Sequence, residues 1–301
     1  MISPTTITRG TPTRTMIPVL TQSAPEIVET EPEDVRLSLL AQGDSGTGKT
    51  EGIRRLLLAG YNVVVLAIEA KMQRLLALRP QTVYIDGPVI ERVTGTKRPP
   101  TIDEKYQRLI AFKEALAEGK YREHKGKPID IIAGDGVMEV MDIIKAYRLK
   151  NIPISKSTGE KNTYAAYDQI GTDGVDFIKA CKVAASEVSR QYGMPPVGMY
   201  WTCGEEYEPA AGKYVPILPG RIAPRALPYQ FEAILRLAVE RGADGQPVFV
   251  AHTVASEQWV AKSPPGVLDS RIAGPVGAGA PDMGVIWKQL LDYYMIGEAD
   301  K

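Results

Sequence analysis

Residues 43–50 read Gly43-Asp44-Ser45-Gly46-Thr47-Gly48-Lys49-Thr50, and this stretch decides the fold. It fits the pattern G-x-x-x-x-G-K-[ST] at every position. Glycines let the backbone curl so that successive N–H groups point at phosphate oxygens, and the following helix adds its positive end. The pattern assigns Lys49 to the β- and γ-phosphates and the Thr50 hydroxyl to Mg²⁺. We therefore predict that all eight residues contact the phosphates of a nucleotide.

The sequence on either side of this loop has the character that a phosphate-binding loop needs. Residues 36–41 form a short apolar run typical of a strand. Residues 51–59 place their apolar side chains at helical spacing. A strand, the loop and a helix in this order argue against a chance glycine-rich turn.

Strand and helix signals alternate along the chain from residue 36 onward. The predicted strands cover residues 62–68, 82–86, 129–133 and 196–202. The predicted helices cover residues 103–118, 137–149 and 175–192. Such alternation, with strands that are apolar over most of their length, predicts an α/β fold with a mainly parallel sheet flanked by helices.

The C-terminal part of the chain has a different pattern. Three strands are predicted, at residues 231–239, 246–254 and 258–262, with a hairpin turn at residues 242–245. We expect them to form an antiparallel β-meander over residues 231–262 that is attached to the parallel sheet. A helix is predicted to follow over residues 283–294.

The domain organisation follows from shifts in composition. Residues 1–34 are rich in Thr and Pro. We predict a flexible arm there, because the segment cannot bury enough apolar surface to offset its ordering entropy. Residues 35–301 are assigned to one domain, with a basic helical insertion at residues 86–128 and a loop at residues 150–163.

The overall charge and composition exclude some classes of protein. Lys and Arg total 36 and Asp and Glu total 36, so any nucleic-acid partner has to be recognised by local clusters of charge. The sequence contains no run of about 18 apolar residues and no secretory signal, which predicts a protein outside the membrane. With only two cysteines in 301 residues, we expect a cytoplasmic location.

A second acid is needed near the phosphate loop to hold Mg²⁺, directly or through water. Asp135 ends the apolar segment 129–135, where the chain turns into a helix through Gly136. That placement predicts the metal role for Asp135. A helix N-cap role for Asp135 is the alternative, and it is compatible with the metal role.

The residue after Asp135 is glycine, whereas AAA+ ATPases and DExx helicases carry a catalytic glutamate there. The base that activates water must then come from another segment, and Glu69 is the candidate. It follows the apolar run 63–68, at a strand end that faces the ligand crevice of an open α/β sheet. A solvated glutamate at a strand end is the alternative interpretation.

The order of the phosphate loop, Glu69 and Asp135 resembles the RecA-like P-loop ATPases. Residues 164–171, 217–223 and 259–263 extend the resemblance to phage-encoded RecA-like nucleotide-binding proteins, a group that includes single-strand annealing ATPases. The resemblance covers residues 36–295. It implies a RecA-like core that binds ATP and Mg²⁺, hydrolyses ATP, acts on single-stranded DNA in the host cytoplasm and assembles into a homo-oligomeric ring or filament.

The resemblance also implies roles for residues farther along the chain. RecA-like cores end one strand in a polar residue that senses the γ-phosphate, and Thr202 or Glu205 would take that role here. They also place basic residues of a neighbouring subunit against the γ-phosphate, where the charge stabilises the transition state. Arg221 and Lys262 are the candidates, and a plain surface cation is the equal alternative for each.

DNA contact is predicted for a loop that is rich in lysine. Lys150, Lys156 and Lys161 lie in or beside the loop at residues 150–163, close to Tyr164. Lysines bind the phosphate backbone, and aromatic rings stack on bases. A solvated basic surface is the alternative. The basic segment at residues 87–127 is a second candidate.

Three functions from different classes remain in competition at this point. The first is a DNA-dependent ATPase of phage recombination or replication. The second is a P-loop kinase of a small metabolite. The third is a motor that packages a genome or remodels a partner protein.

Overall fold

The computed structural model describes residues 37–296, apart from 69–74, 76, 92–94, 153, 155–158, 160, 195–196, 220–222 and 276. The predicted arm at residues 1–34 therefore lies outside the described residues. So do Glu69, Lys156 and Arg221, whose predicted roles stay predictions.

The strands and helices of the described residues alternate through the first two thirds of the chain. The strands are β1 (Ser38–Gln42), β2 (Val63–Ala67), β3 (Gln81–Tyr84), β4 (Val89–Ile90), β5 (Lys97–Arg98), β6 (Glu123–His124), β7 (Lys127–Pro128), β8 (Ile131–Asp135), β9 (Gly198–Cys203), β10 (Glu205–Glu208), β11 (Lys213–Pro216), β12 (Ala233–Arg241), β13 (Pro247–His252) and β14 (Arg271–Ala273). The helices are α1 (Lys49–Leu58), α2 (Ile102–Ala117), α3 (Val137–Lys150), α4 (Thr163–Tyr192), α5 (Ala223–Ala226), a 3-10 turn (Leu227–Gln230) and α6 (Met283–Ile296).

One mixed sheet organises these elements, with the strand order β14-β13-β12-β1-β9-β8-β2-β3. Six neighbouring strands of the sheet are parallel: β12, β1, β9, β8, β2 and β3. Strands β13 and β14 extend the sheet beyond β12 and are antiparallel to their neighbours. Strands β1 and β2 are buried at every position, as expected where helices cover both faces of a sheet. The predicted fold, a mainly parallel sheet flanked by helices with antiparallel strands near the C-terminus, is confirmed.

The predicted third strand of the meander was wrong. Residues 258–262 make only isolated bridges, from Trp259 to Tyr214 and from Lys262 to Ile234, and the third antiparallel strand is β14. The reason lies in the length of β13, which ends opposite Arg236. The edge of β12 at Ile234 is therefore open, and the backbone of Lys262 fills it with two hydrogen bonds of 2.8 and 2.9 Å.

The core consists of two apolar layers, one on each face of the sheet. Helices α2, α3 and α4 cover one face, and α1 and α6 cover the other. Successive residues of a strand point to opposite faces, so Tyr200 belongs to the layer of α1 and Trp201 to the layer of α4. None of the helices in the described part of the chain is long and apolar enough to span a membrane.

The central strands β8 and β9 fit together only because residue 134 has no side chain. Gly134 pairs with Trp201 across the ladder, and a Cβ atom at Gly134 would lie 2.7 Å from Cδ2 of that indole. Trp201 is fully buried, so the ring cannot swing out into solvent to avoid such a contact. The buried indole of Trp201 therefore restricts position 134, on the neighbouring strand β8, to glycine.

We expect the Gly134→Ala substitution to lower the free energy of unfolding by about 1–3 kcal/mol, because it overpacks this contact. Urea denaturation measures the effect. The smaller ring of Trp201→Phe should relieve the clash, so the double variant should lose less stability than the sum of the two single variants. Additive losses would contradict the contact as the cause.

Candidate functional site

The phosphate loop connects β1 to α1 and forms one wall of a pocket. Gly48 is the N-cap of α1 with φ of 92°, so Lys49 and Thr50 are the first two residues of the helix. The pocket is lined by residues 43–46 and 48–51. The helix N-terminus therefore lies beside the pocket, as phosphate binding requires. The contacts predicted for all eight loop residues stay predictions.

The Lys49 ammonium is held by the loop itself. Its Nζ donates hydrogen bonds of 2.7 Å to the backbone oxygens of Gly43 and of Asp44. Burial lowers the pKa of Lys49, and the nearby carboxylates of Asp135, Asp44 and Glu205 act in the opposite direction. The ammonium is thus hydrogen-bonded to the backbone of the phosphate loop, and Lys49 lines the pocket.

Asp135 brings together the side chains that the sequence assigned to the metal. The Thr50 hydroxyl lies 3.0 Å from Oδ1 and 3.1 Å from Oδ2 of Asp135, and the Thr202 hydroxyl donates to Oδ1 at 3.0 Å. Hydroxyl and carboxylate oxygens are the hard donors that Mg²⁺ prefers. Thr50 and Asp135 therefore fit the ion by the chemistry of their donor atoms.

The strand that carries Asp135 is not adjacent to the strand that precedes the phosphate loop. Strand β9 lies between β1 and β8 and contributes Thr202 to the cluster. The N-cap interpretation of Asp135 was wrong. The N-cap of α3 is Gly136, with φ of 114°, and glycine has no side chain that could cap the helix. Asp135 is the last residue of β8.

The end of β2 lies next to this cluster. Ala67 pairs with Asp135 in the parallel ladder between β2 and β8. Glu69 follows Ala67 by two positions in the sequence, but it is outside the described residues. Its role as the base stays a prediction.

The two candidate sensors occupy different environments. Thr202 is buried and touches Asp135. Glu205 also lines the pocket, but Arg236 binds both of its carboxylate oxygens, at 2.9 and 2.8 Å. The guanidinium lies 4.9 Å from the ring centre of Tyr214 and 5.0 Å from that of Trp259. The carboxylate of Glu205 is therefore fixed by an ion pair, and Thr202 is the candidate sensor that contacts Asp135.

Lys262 does not line the pocket of its own chain. Its charged neighbours are Glu232 and Lys182, the latter on α4. Burial lowers the pKa of Lys262, Lys182 adds to this effect and Glu232 opposes it. A role against the phosphates of another subunit stays a prediction for Lys262.

The predicted DNA-binding lysines that the structure describes are both exposed. Lys150, at the end of α3, forms an ion pair with Asp103. Lys161 pairs with Ile154 in an isolated antiparallel bridge. Tyr147, on α3, stacks on Tyr106 with ring centres 3.8 Å apart. One face of its ring is therefore covered by another aromatic side chain.

The sequence analysis missed a second glycine-containing wall of the pocket. Gly277, Ala278 and Gly279 line it together with Phe249, and a Cβ atom on Gly48 would lie 3.1 Å from Cα of Ala280. Arg55 donates a hydrogen bond of 2.7 Å to the Ala278 oxygen. The spacing of glycines at 274, 277 and 279 was the available signal, since a loop that packs on the phosphate loop needs small residues.

Comparison with known families decides the class of this protein. A family model described as an AAA domain matches residues 36–264, which is more than half of the chain. The chain belongs to the AAA domain family. It is a P-loop ATPase. The glycine after Asp135 argued against AAA+ ATPases. The match shows that a glycine at this position is compatible with membership of the AAA domain family.

Two solved structures show a weaker likeness. One is described as a prototypical ATPase from the type III secretion system of pathogenic bacteria, and the other is the assembled ATPase EscN of enteropathogenic E. coli. Each is 14% identical, with a TM-score of 0.38 over 67% of this chain. The match covers 51% and 43% of those two chains, so this chain spans about half of their length. No curated protein matches this sequence.

The buried ion pair beside the pocket makes a direct prediction about stability. The side chains of Arg236 and Glu205 are only 14% and 3% exposed. Arg236→Met should lower the free energy of unfolding by about 3–5 kcal/mol, because Glu205 is then buried without its partner. Chemical denaturation measures the loss. Adding Glu205→Gln should recover part of it, and no recovery would contradict the unpaired charge as its cause.

Proposed function

We propose that this chain hydrolyses ATP in a Mg²⁺-dependent reaction that is coupled to single-stranded DNA, in phage recombination or replication. The observation that carries the chemistry is the cluster of Thr50, Asp135 and Thr202 at the base of the pocket, beside Lys49. When bound, Mg²⁺ would neutralise negative charge on the β- and γ-phosphates.

Each residue around the pocket has a distinct task in this proposal. Lys49 binds the phosphates, Thr50 and Asp135 hold the metal and Thr202 senses the γ-phosphate through its contact with Asp135. Glu69 accepts the proton of the attacking water. The hydroxyl of Thr202 connects this sensor to the metal acid, because it already donates a hydrogen bond to Asp135.

Single-stranded DNA would bind at the segment between α3 and α4. Lys161 is exposed there, and the side chains of Ile154 and Tyr167 are exposed by 67% and 48%. The ion pair of Lys150 with Asp103 is itself on the surface, so exchange of Asp103 for a phosphate costs little. Cations close to an aromatic ring are typical of surfaces that bind single strands. Lys156 lies between Lys150 and Lys161 in the sequence.

A homo-oligomer completes the proposed site. Lys262 does not line the pocket of its own subunit, so a contact with phosphates would have to be made to a neighbouring subunit. Arg221 is the other candidate for this role. A ring or filament in the host cytoplasm is the assembly that the RecA-like resemblance supports.

The coupling to DNA is tested by measuring ATP hydrolysis with and without poly(dT), at low and at high salt. We expect stimulation that fades as salt rises, because phosphate contacts release counterions. Lys161→Gln should reduce the slope of log affinity against log salt by about 1. Lys288→Gln, an exposed lysine on α6, is the matched control and should leave it unchanged.

If poly(dT) neither binds nor alters the rate, the DNA part of the proposal fails and a packaging or remodelling motor becomes the better interpretation. Phosphate transfer to a small metabolite, rather than to water, would instead indicate the kinase.

Two substitutions test the chemistry of the pocket. Lys49→Ala should weaken binding of a fluorescent ATP analogue, since it removes the cation that the phosphates need. Glu69→Gln should keep that binding and lower turnover by about 10²-fold, in line with the loss of a general base. Turnover at the wild-type level in Glu69→Gln would move the base role to another residue.

A further inference from the structure

A carboxylate occupies the space next to Gly136 in which a side chain at that position would lie. Glu139, in the first turn of α3, folds back toward Gly136. A Cβ atom on Gly136 would lie only 2.6 Å from Cδ of Glu139 and closer still to Oε2. The φ of 114° at Gly136 also favours glycine over any residue with a side chain. The observed position of the Glu139 carboxylate therefore requires that residue 136 has no side chain.

This carboxylate is close to the reacting centre. Gly136 is bonded to Asp135, which accepts hydrogen bonds from Thr50 and Thr202. Glu139 itself lines the same pocket as Lys49, Thr50 and Asp135. An acid is thus placed directly after the metal acid in space, although the sequence has glycine at that position.

We propose that Glu139 is a second catalytic carboxylate, which accepts a hydrogen bond from the attacking water and orients it toward the γ-phosphorus. The proposal rests on the hydrolysis assigned above. The water oxygen forms a bond to phosphorus, and the bond between phosphorus and the β-γ bridging oxygen breaks, so that ADP leaves with that electron pair. One water proton passes to the general base of the proposed reaction. The other stays on the new phosphate hydroxyl, hydrogen-bonded to Glu139.

The position of Glu139 also allows a purely structural role, which the experiment has to separate from the catalytic one. A glutamate three residues after the N-cap often reaches back to the N-cap N–H, and glutamine does so equally well. Glu139→Gln therefore keeps a capping role and removes only the charge.

The test compares Glu139→Gln with the wild type and with Asp142→Asn, an exposed acid one turn further along α3. For Glu139→Gln we expect kcat to fall by roughly tenfold or more, because a neutral amide holds the water less strongly. Affinity for a non-hydrolysable ATP analogue should be equal or tighter, since a negative charge has left the pocket. The melting temperature should not change. Asp142→Asn should match the wild type in all three.

Wild-type kcat and wild-type affinity in Glu139→Gln would overturn the inference and leave helix capping as its role. A lower melting temperature together with weaker nucleotide binding would overturn it too, because the residue would then be structural. If the wild-type chain does not hydrolyse ATP, the proposed function fails instead, so the two failures are distinguishable.

Discussion

The carboxylate of Asp135 is the point on which the site depends, because it joins three separate elements. It ends β8, and it accepts hydrogen bonds from Thr50 on α1 and from Thr202 on β9. These contacts fix the helix that follows the phosphate loop against two strands of the sheet. The carboxylate and the hydroxyl that are proposed to hold Mg²⁺ are thereby kept within hydrogen-bonding distance of each other, and the candidate sensor Thr202 is bonded to the same carboxylate. Pre-positioned polar groups of this kind need no reorganisation when charge develops in a reaction.

Strand β9 connects this cluster to both layers of the core. Its residues alternate between the faces of the sheet, so Tyr200 and Thr202 face α1 while Trp201 packs in the opposite layer. The Tyr200 hydroxyl donates to the backbone oxygen of Lys49 at 3.2 Å, and burial raises the pKa of this tyrosine. A single strand thus supports the first turn of α1 from below and positions the hydroxyl that touches Asp135. Disturbance of either core layer would reach the pocket through it.

The sequence predicted the parts of the site that depend on neighbours along the chain. The phosphate loop is a contiguous motif, and Asp135 stands at the end of an apolar run, so the sequence could single out both, and the structure places them in one pocket. The contact of Arg236 with Glu205 joins positions 31 residues apart. The packing of Gly48 against residues 279 and 280 spans an even larger separation. Strand order and such contacts arise from tertiary packing, and no local pattern encodes them. The misplaced third meander strand has the same origin, because the length of β13 decided where an edge was open.

The balance of charge in the pocket gives a physical reason for the proposed metal requirement. Of the acids that line it, Glu51 pairs with Arg54 and Arg55, and Glu205 pairs with Arg236. Asp44, Asp135 and Glu139 line the pocket as well, together with the cation of Lys49. A triphosphate without a metal would bring more negative charge against three carboxylates in a partly buried site, where repulsion is stronger than in water. A divalent cation beside Asp135 reverses the sign of that interaction. In the proposed reaction, the same acids that would position water and metal would therefore disfavour a nucleotide that binds without its metal.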